Sequence, residues 1–314
     1  MNVPQRLQRT ELCAEQICTA TLPPGTIDDS HPWEVGTLNG TLHGEVSEIE
    51  MRLLLEAIYE AYHYDFRQYA AASLKRRLAH ALTRFDCRSL SVLQDKVLHD
   101  KQVFPVLLEY LTVQVSDLFR DPGYYRALRQ HVLPTLATYP SLKVWVAGCS
   151  TGEEAYSMAI LLAEAGLLER TLIYATDINS ESLRKAATGV YDLDRIRQFT
   201  LNHRESGGKG SLSDHYHAAG HSAVMAPKLR NRITFADHSL ATDSMFSEVH
   251  FISCRNVLIY FNRELQDRAL GIFQEALVLR GFLGLGSKES LRFSSQSHAF
   301  VDYRSEEKIY RKAV

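Results

Sequence analysis

Two adjacent carboxylates, Glu153 and Glu154, follow the small-residue run Gly148-Cys-Ser-Thr-Gly152, and a third, Asp177, comes 24 residues after Glu153. In a small-molecule site a carboxylate accepts hydrogen bonds from hydroxyls, or pairs with an ammonium or another cation. Gly148 and Gly152 make G-x-x-x-G, which is neither the dinucleotide fingerprint G-x-G-x-x-G nor the phosphate-binding G-x-x-x-x-G-K-[ST]. Paired carboxylates beside this turn would repel a pyrophosphate. The pattern favours a cofactor that carries positive charge, or one that presents an ammonium and hydroxyls. Taken alone, the loop is equally well explained as an ordinary strand-to-helix connection.

S-adenosylmethionine, a sulfonium with an α-amino group, is such a cofactor. The surrounding elements are those that would position it. Val144 to Ala147 is an apolar run of the kind that forms a strand buried on both faces. Glu153-Glu154 then open a helical pattern through Ala155, Met158, Ala159, Leu162 and Ala163, and acidic residues suit the positive end of a helix dipole. Leu172 to Asp177 reads as a second strand that closes on an aspartate, where such folds bind ribose hydroxyls. A helix over Ser180 to Ala187 follows, its Ser-x-x-Leu start capped. Val249 to Cys254 is another buried strand, running into Arg255-Asn256, with a helix predicted from Arg263 to Leu279 and final strands at Phe282–Gly286 and Lys308–Arg311. This alternation implies a mainly parallel sheet with an antiparallel edge. The Gly/Ser/His-rich stretch 203–222 interrupts it, and a small β insertion or flap is expected there, over about 203–235. His203, His215, His217 and His221 lack cysteine or carboxylate partners at ligand spacing, so no metal site is expected.

Upstream, the pattern from Glu45 to Val103 is helical. Ile49, Leu53, Leu54, Ala57 and Ile58 mark one amphipathic helix, and a second is expected from an Asp65 cap through Leu74, Leu78 and Ala81 to Phe85. Lys75, Arg76, His80 and Arg84 fall on or beside its other face, with Arg77 and Arg88 near the margin. That face is either a solvated surface or a docking face for an acidic protein surface. A third helix is predicted from Ser89 to His99 and a further one around Phe104 to Leu111. Residues 1–45 carry four prolines and little apolar periodicity, which reads as an arm with at most a short helix over 7–21. The organisation is therefore an arm (1–45), a helical domain (46–112), a linker (113–125) and an α/β domain (126–314).

Composition narrows the setting. The chain's 35 basic and 37 acidic residues nearly cancel, so no global field points to nucleic acid. Five scattered cysteines, at 13, 18, 87, 149 and 254, fit reduced thiols in a cytoplasmic protein. No transmembrane run or signal-peptide core is recognisable. A cytoplasmic monomer without membrane insertion is the expectation.

Four segments occur in a telling order: Leu118-Phe-Arg-Asp121, Ser150-Thr-Gly-Glu-Glu-Ala-Tyr-Ser157, Thr176-Asp-Ile178 and Cys254-Arg-Asn-Val-Leu-Ile-Tyr-Phe261. Together they resemble the chemotaxis receptor glutamate O-methyltransferases, the CheR family, over roughly 46–312. The resemblance implies a Rossmann-like S-adenosylmethionine-dependent methyltransferase domain with a small β insertion, preceded by a small all-α domain. It implies methyl transfer from S-adenosyl-L-methionine to glutamates of a chemoreceptor's cytoplasmic helical bundle, leaving S-adenosyl-L-homocysteine and needing no metal, in an enzyme recruited to receptor arrays. By position the cofactor contacts would be Gln114, Ser116, Arg120, Gly148, Glu153 or Glu154, Asp177, Ser239, Leu240, Asn256 and Val257. Tyr260 would stand near the transferred methyl, and Lys75, Arg76 and Arg84 would dock the receptor. Gln114 and Ser116 replace the family's common Asn and Thr, and Asp237-His-Ser-Leu240 departs from its usual Asn-Leu pair.

The chemistry asks little of acid–base groups. A glutamate ionises at a pKa of about 4.3 and is already a nucleophile at neutral pH. Arg120 is the expected orienter of a carboxylate, since its planar fork matches two oxygens; a linker salt bridge is the alternative. Tyr260 either bonds the carboxylate or packs. A non-catalytic S-adenosylmethionine-sensing, receptor-binding module is the second functional reading. A small-molecule methyltransferase would have no clear use for the basic helix, and a nicotinamide dehydrogenase would need the absent glycine fingerprint.

Overall fold

The computed structural model describes residues 45–292 and 294–313. The expected N-terminal arm, apart from Glu45, lies outside them. Four helices come first: α1 (Glu45–Tyr62), α2 (Ala71–Arg84), α3 (Leu90–His99) and α4 (Val103–Leu111). Their apolar stripes meet in one core around Leu54, Ile58, Leu74, Leu78, Leu93, Val97 and Leu107. Ser89 caps α3, its side chain accepting from Val92 N.

The start of α2 differs from expectation. It begins at Ala71 without a side-chain cap, and Asp65 pairs instead with Arg67 at 2.8 Å. The intervening turn is held by the other domain. Tyr69 bridges Phe261, Ala70 N donates to Tyr260 O at 2.8 Å, and Asn262 N donates to Gln68 O at 2.8 Å. Tertiary hydrogen bonds thus overrule the local helix signal.

Helix α5 (Pro122–Ala127), a π-helical turn (Leu128–Val132) and α6 (Leu133–Leu136) lead into β1 (Leu142–Ala147). There follow α7 (Glu153–Glu164), β2 (Thr171–Asp177), α8 (Ser180–Thr188), β3 (Val190–Asp192), α9 (Leu193–Glu205), β4 (Tyr216–Ala219) and β5 (Ser222–Met225). The chain ends through α10 (Pro227–Arg230), β6 (Ile233–Asp237), β7 (Val249–Cys254), α11 (Arg263–Ala276), β8 (Leu277–Leu285), β9 (Phe300–Arg304) and β10 (Ile309–Lys312). The main sheet runs β6-β2-β1-β7-β8-β10-β9. It is parallel except where β10 lies antiparallel to β8 and β9, which is the edge anticipated. Alternate β1 residues enter different cores, Val144 and Val146 one and Trp145 and Ala147 the other, as a strand covered on both faces requires. The chain leaves β1 toward β2 and returns beside it as β7, so the strand order reverses at β1. In such sheets ligands bind outside the carboxyl ends of the strands at that point.

Three local expectations are corrected. Helix α11 stops at Ala276 because Leu277 already pairs with Val249, extending β8 back from Phe282. Helix α8 is capped by Asn179, which accepts from Glu181 N and Ser182 N. The small sheet, ordered β3-β5-β4, spans 190–225, whereas Ile233 pairs with Ile173 in the main sheet, so the insertion is not 203–235. Two of the histidines in this stretch, His203 and His215, do structural work. Glu164, at the end of α7, meets His203 Nε2 at 2.7 Å, Arg129 at 2.5 Å and His215 at 3.7 Å. Among the described residues no group of side chains could hold a metal ion, and no helix is long and apolar enough to cross a membrane.

Burial alone would raise the Glu164 pKa, but hydrogen bonds from His203 and His215 and the Arg129 charge hold it at about 2, against an ordinary 4.5. The folded carboxyl therefore ionises below the unfolded one. Its contribution is complete above the unfolded value and is lost as pH falls toward the folded one. Between about pH 6 and pH 3, urea unfolding should show wild type losing more stability than Glu164→Gln; equal losses would refute the assignment.

Candidate active site

A cleft of about 880 Å³, its open mouth included, lies beyond the ends of β1, β2 and β7 and is roofed by residues of the helical domain. The turn after β1 forms its floor. Gly148 has φ +72°, and a Cβ there would collide with Val257 across the cleft wall. Gly152, at φ +93°, opens α7 where a Cβ would meet Ala186 at 2.8 Å. Asp177 locks the turn, accepting from Ser150 N at 2.8 Å and Asn179 N at 2.9 Å. Burial pushes its carboxyl pKa up, and the amides of Asn179 and Ser150 oppose that.

The two glutamates diverge, as consecutive helical positions must. Glu154 lines the cleft, accepts from Ser253 Oγ at 2.6 Å and faces Arg255 at 3.6 Å. Burial raises its pKa, with the Arg255 charge the main opposing influence. Glu153 is fully buried outside the cleft, bonded to Thr151 at 2.7 Å and Arg195 at 2.8 Å. Arg195 also pairs with Asp117, so Glu153 ties α9 and the linker to α7.

Of the other expected contacts, Ser116, Arg120, Leu240, Asn256, Val257 and Tyr260 line the cleft beside Gly148 and Asp177. Gln114 and Ser239 do not. Gln114 accepts from Ser150 Oγ at 3.0 Å and from Ser182, bracing the turn from behind. Ser239 donates its N–H to Asp243 at 3.0 Å and shapes a local turn. Lys75, Arg76 and Arg84 lie away from the cleft; Arg76 and Arg84 are exposed and Lys75 pairs with Glu48 at 2.7 Å. Cys149 and Cys254 are buried thiols whose pKa burial drives well up, so neither is an available nucleophile.

Sequence reasoning missed three residues. Arg255 reaches from the end of β7 into the linker, donating to Arg120 O at 3.1 Å and Asp121 at 2.6 Å, with its guanidinium 4.2 Å from the Tyr124 ring centroid. Its neighbour Asn256 was legible, but the partner of a buried arginine is not. Arg77 lines the cleft from α2; its place among Leu74, Leu78 and Ala81 on the apolar stripe was an available signal. Glu289 had none, sitting in a loop without periodicity. Its carboxylate accepts from Gly286 N (2.6 Å), Asn256 N (3.1 Å), Val257 N (2.9 Å) and Ile259 N (3.3 Å). It thereby holds the segment after β7, including Asn256 at φ +60°.

Fold and site together define a Rossmann-like S-adenosylmethionine-dependent methyltransferase joined to an all-α domain. Residues 114–308 match the CheR methyltransferase SAM binding domain and 49–112 match the CheR methyltransferase all-alpha domain. The chain belongs to the CheR methyltransferase family. It is 57% identical to a Pseudomonas putida protein named Cher3 over 85% of this chain and 98% of that one. It is also 29% identical to a chemotaxis protein methyltransferase of Listeria monocytogenes (72% and 84% covered) and 30% to chemotaxis protein methyltransferase 1 of Vibrio cholerae (72% and 82%). The lining fits the cofactor: burial raises the pKa of both cleft carboxyls, a state that a cationic, hydroxyl-bearing ligand relieves.

Removing Glu289 strands four amide donors. Glu289→Ala should cost about 3 kcal/mol or more in urea unfolding, at roughly 1 kcal/mol or more for each unmet buried donor. Glu289→Gln keeps one carbonyl acceptor and should cost less. An Ala variant as stable as wild type would remove Glu289 from this role.

Proposed function

We propose that this chain transfers a methyl group from S-adenosylmethionine to glutamate side chains of chemoreceptors, forming glutamyl methyl esters in a chemosensory pathway. One observation carries the reading: a single cleft joins two half-buried carboxylates, Glu154 and Asp177, to a linker arginine, Arg120. The carboxylates suit the cofactor's ammonium and ribose, with Asn256, Val257 and Leu240 as further walls. Arg120 suits a carboxylate. Bound there, S-adenosylmethionine supplies an electrophilic methyl on a sulfonium leaving group.

No proton need move. The acceptor carboxylate is ionised at neutral pH, and the carboxylates of the lining are engaged: Asp177 is held by two amides and Glu154 by Ser253. What the protein contributes is placement and the exclusion of water. Attraction between an acceptor anion and a cofactor cation strengthens in a cleft this buried. The exposed Arg76 and Arg84, with Lys75, offer an acidic receptor helix a docking face outside the cleft.

Purified protein with labelled S-adenosylmethionine and receptor-bearing membranes should yield base-labile methyl incorporation; cofactor binding without incorporation would favour the sensing module. Calorimetry should find S-adenosylhomocysteine bound roughly 10- to 100-fold more weakly by Asp177→Ala, the loss of hydrogen bonds to a charged acceptor. Undiminished affinity would remove Asp177 from the cofactor site. Reversing Lys75, Arg76 and Arg84 to Glu should abolish methylation while leaving cofactor affinity intact.

A further inference from the structure

The cleft holds a second arginine, and its surroundings are incomplete. Arg77, on α2, is 8% exposed. One terminal nitrogen donates to Leu111 O at 2.5 Å, and the guanidinium lies 4.4 Å from the Tyr260 ring centroid. The other terminal nitrogen has no hydrogen-bond partner, and among the described residues no carboxylate pairs with Arg77. Burial pulls its pKa down. Arg255 and Arg129 likewise each keep one nitrogen without a hydrogen-bond partner, but each meets a carboxylate, Arg255 that of Asp121 and Arg129 that of Glu164. A guanidinium desolvated without a counter-ion is strongly unfavourable, so its retention marks a place where the anion arrives with a ligand.

Two ligand carboxylates enter such a cleft, that of the cofactor's amino-acid moiety and that of the acceptor. Arg120 lines the cleft together with Glu154, and its charge is among those that oppose the rise burial imposes on that carboxyl, which makes the pair a match for an α-amino acid's carboxylate and ammonium. Arg77 lies elsewhere, electrostatically coupled to Tyr69, Tyr260 and Arg76. It also shares a helix with exposed Arg76 and Arg84, so the helix that offers the basic outer face reaches into the cleft through Arg77.

We infer that Arg77 binds the carboxylate of the acceptor glutamate over the Tyr260 ring, so that the helical domain supplies part of the substrate pocket. This rests on the glutamate-methylating reading above. Its planar fork can present the unpartnered nitrogen to one carboxylate oxygen while the ring below fixes the plane. The helical domain then selects the acceptor chemically, because a glutamine at the same position brings no charge to answer Arg77.

The test uses the full chain, with Arg77→Met and Arg77→Lys beside wild type. Both variants should bind S-adenosylhomocysteine and 5′-methylthioadenosine, which lacks the amino-acid carboxylate, with wild-type affinity. Arg77→Met should melt no earlier than wild type, since it removes an unpaired buried charge. At saturating cofactor, methyl transfer to receptor-bearing membranes should fall about 100-fold in Arg77→Met. Arg77→Lys, which keeps charge without the fork, should retain part of the rate. Weakened S-adenosylhomocysteine binding with unchanged 5′-methylthioadenosine binding would assign Arg77 to the cofactor's carboxylate and overturn the inference. Earlier melting with loss of both affinities would make it a strut, and an unchanged transfer rate would likewise reject it. Wild type that transfers no methyl would reject the glutamate reading itself, a failure separable from that of Arg77 because it needs no variant.

Discussion

The site depends on one buried cation. Arg255 leaves the end of β7 and binds a linker carbonyl and a linker carboxylate while facing Glu154 of the glycine-loop helix. Its side chain is 1% exposed and packs over Tyr124. Three separate segments must therefore converge before this charge is compensated, and a buried guanidinium missing one partner is severely penalised. The linker cannot drift, because Phe119 and Asp121 already hold left-handed backbone, at φ +55° and +57°, to deliver Arg120 O and the Asp121 carboxylate. Strain of that sort persists only where the surroundings over-determine it.

The same convergence explains why two domains act as one site. The turn before α2 is hydrogen-bonded to Tyr260 and Asn262, and Asn179 at the end of β2 bonds Thr112 at 3.0 Å. Residues of the helical domain, Tyr69, Arg77 and Leu111, then wall a cleft whose floor belongs to the sheet. Acidic groups sit near the glycine loop, and cationic ones come from the linker, α2 and the end of β7. For the proposed reaction, which unites an anion with a sulfonium, this arrangement keeps each partner beside its own counter-charge until they meet.

Much of this architecture was legible. Runs such as Val144–Ala147 and Val249–Cys254 are apolar without alternation, which sheets covered on both faces impose, and the four motif segments identified the cleft's walls. What was not legible has physical causes. Helix α2 starts late because backbone groups of Tyr260 and Asn262, distant along the chain, engage the preceding turn. Glu153 and Glu154 are chemically alike, and only the direction of α7 decides which one meets the cleft. Helix α9 and strand β3 begin ahead of the Gly/Ser/His stretch 203–222, where Tyr191 of β3 packs edge-on against Phe199 of α9, a pairing that residue spacing does not reveal. Glu289 belongs to a loop, and four amides converging on a carboxylate leave no trace in residue spacing.

The contact between Gly148 and Val257 has a consequence for how this family can vary. The two positions are 109 apart in the chain, yet the missing Cβ of one is the space occupied by a methyl of the other. They share a single volume. A relative that gains a side chain at 148 must shed one at 257 and must also find another backbone path through the left-handed turn. The width of the cleft is thus set by a pair of residues, one in the turn after β1 and one beyond β7, and any gain of bulk at 148 has to come out of 257.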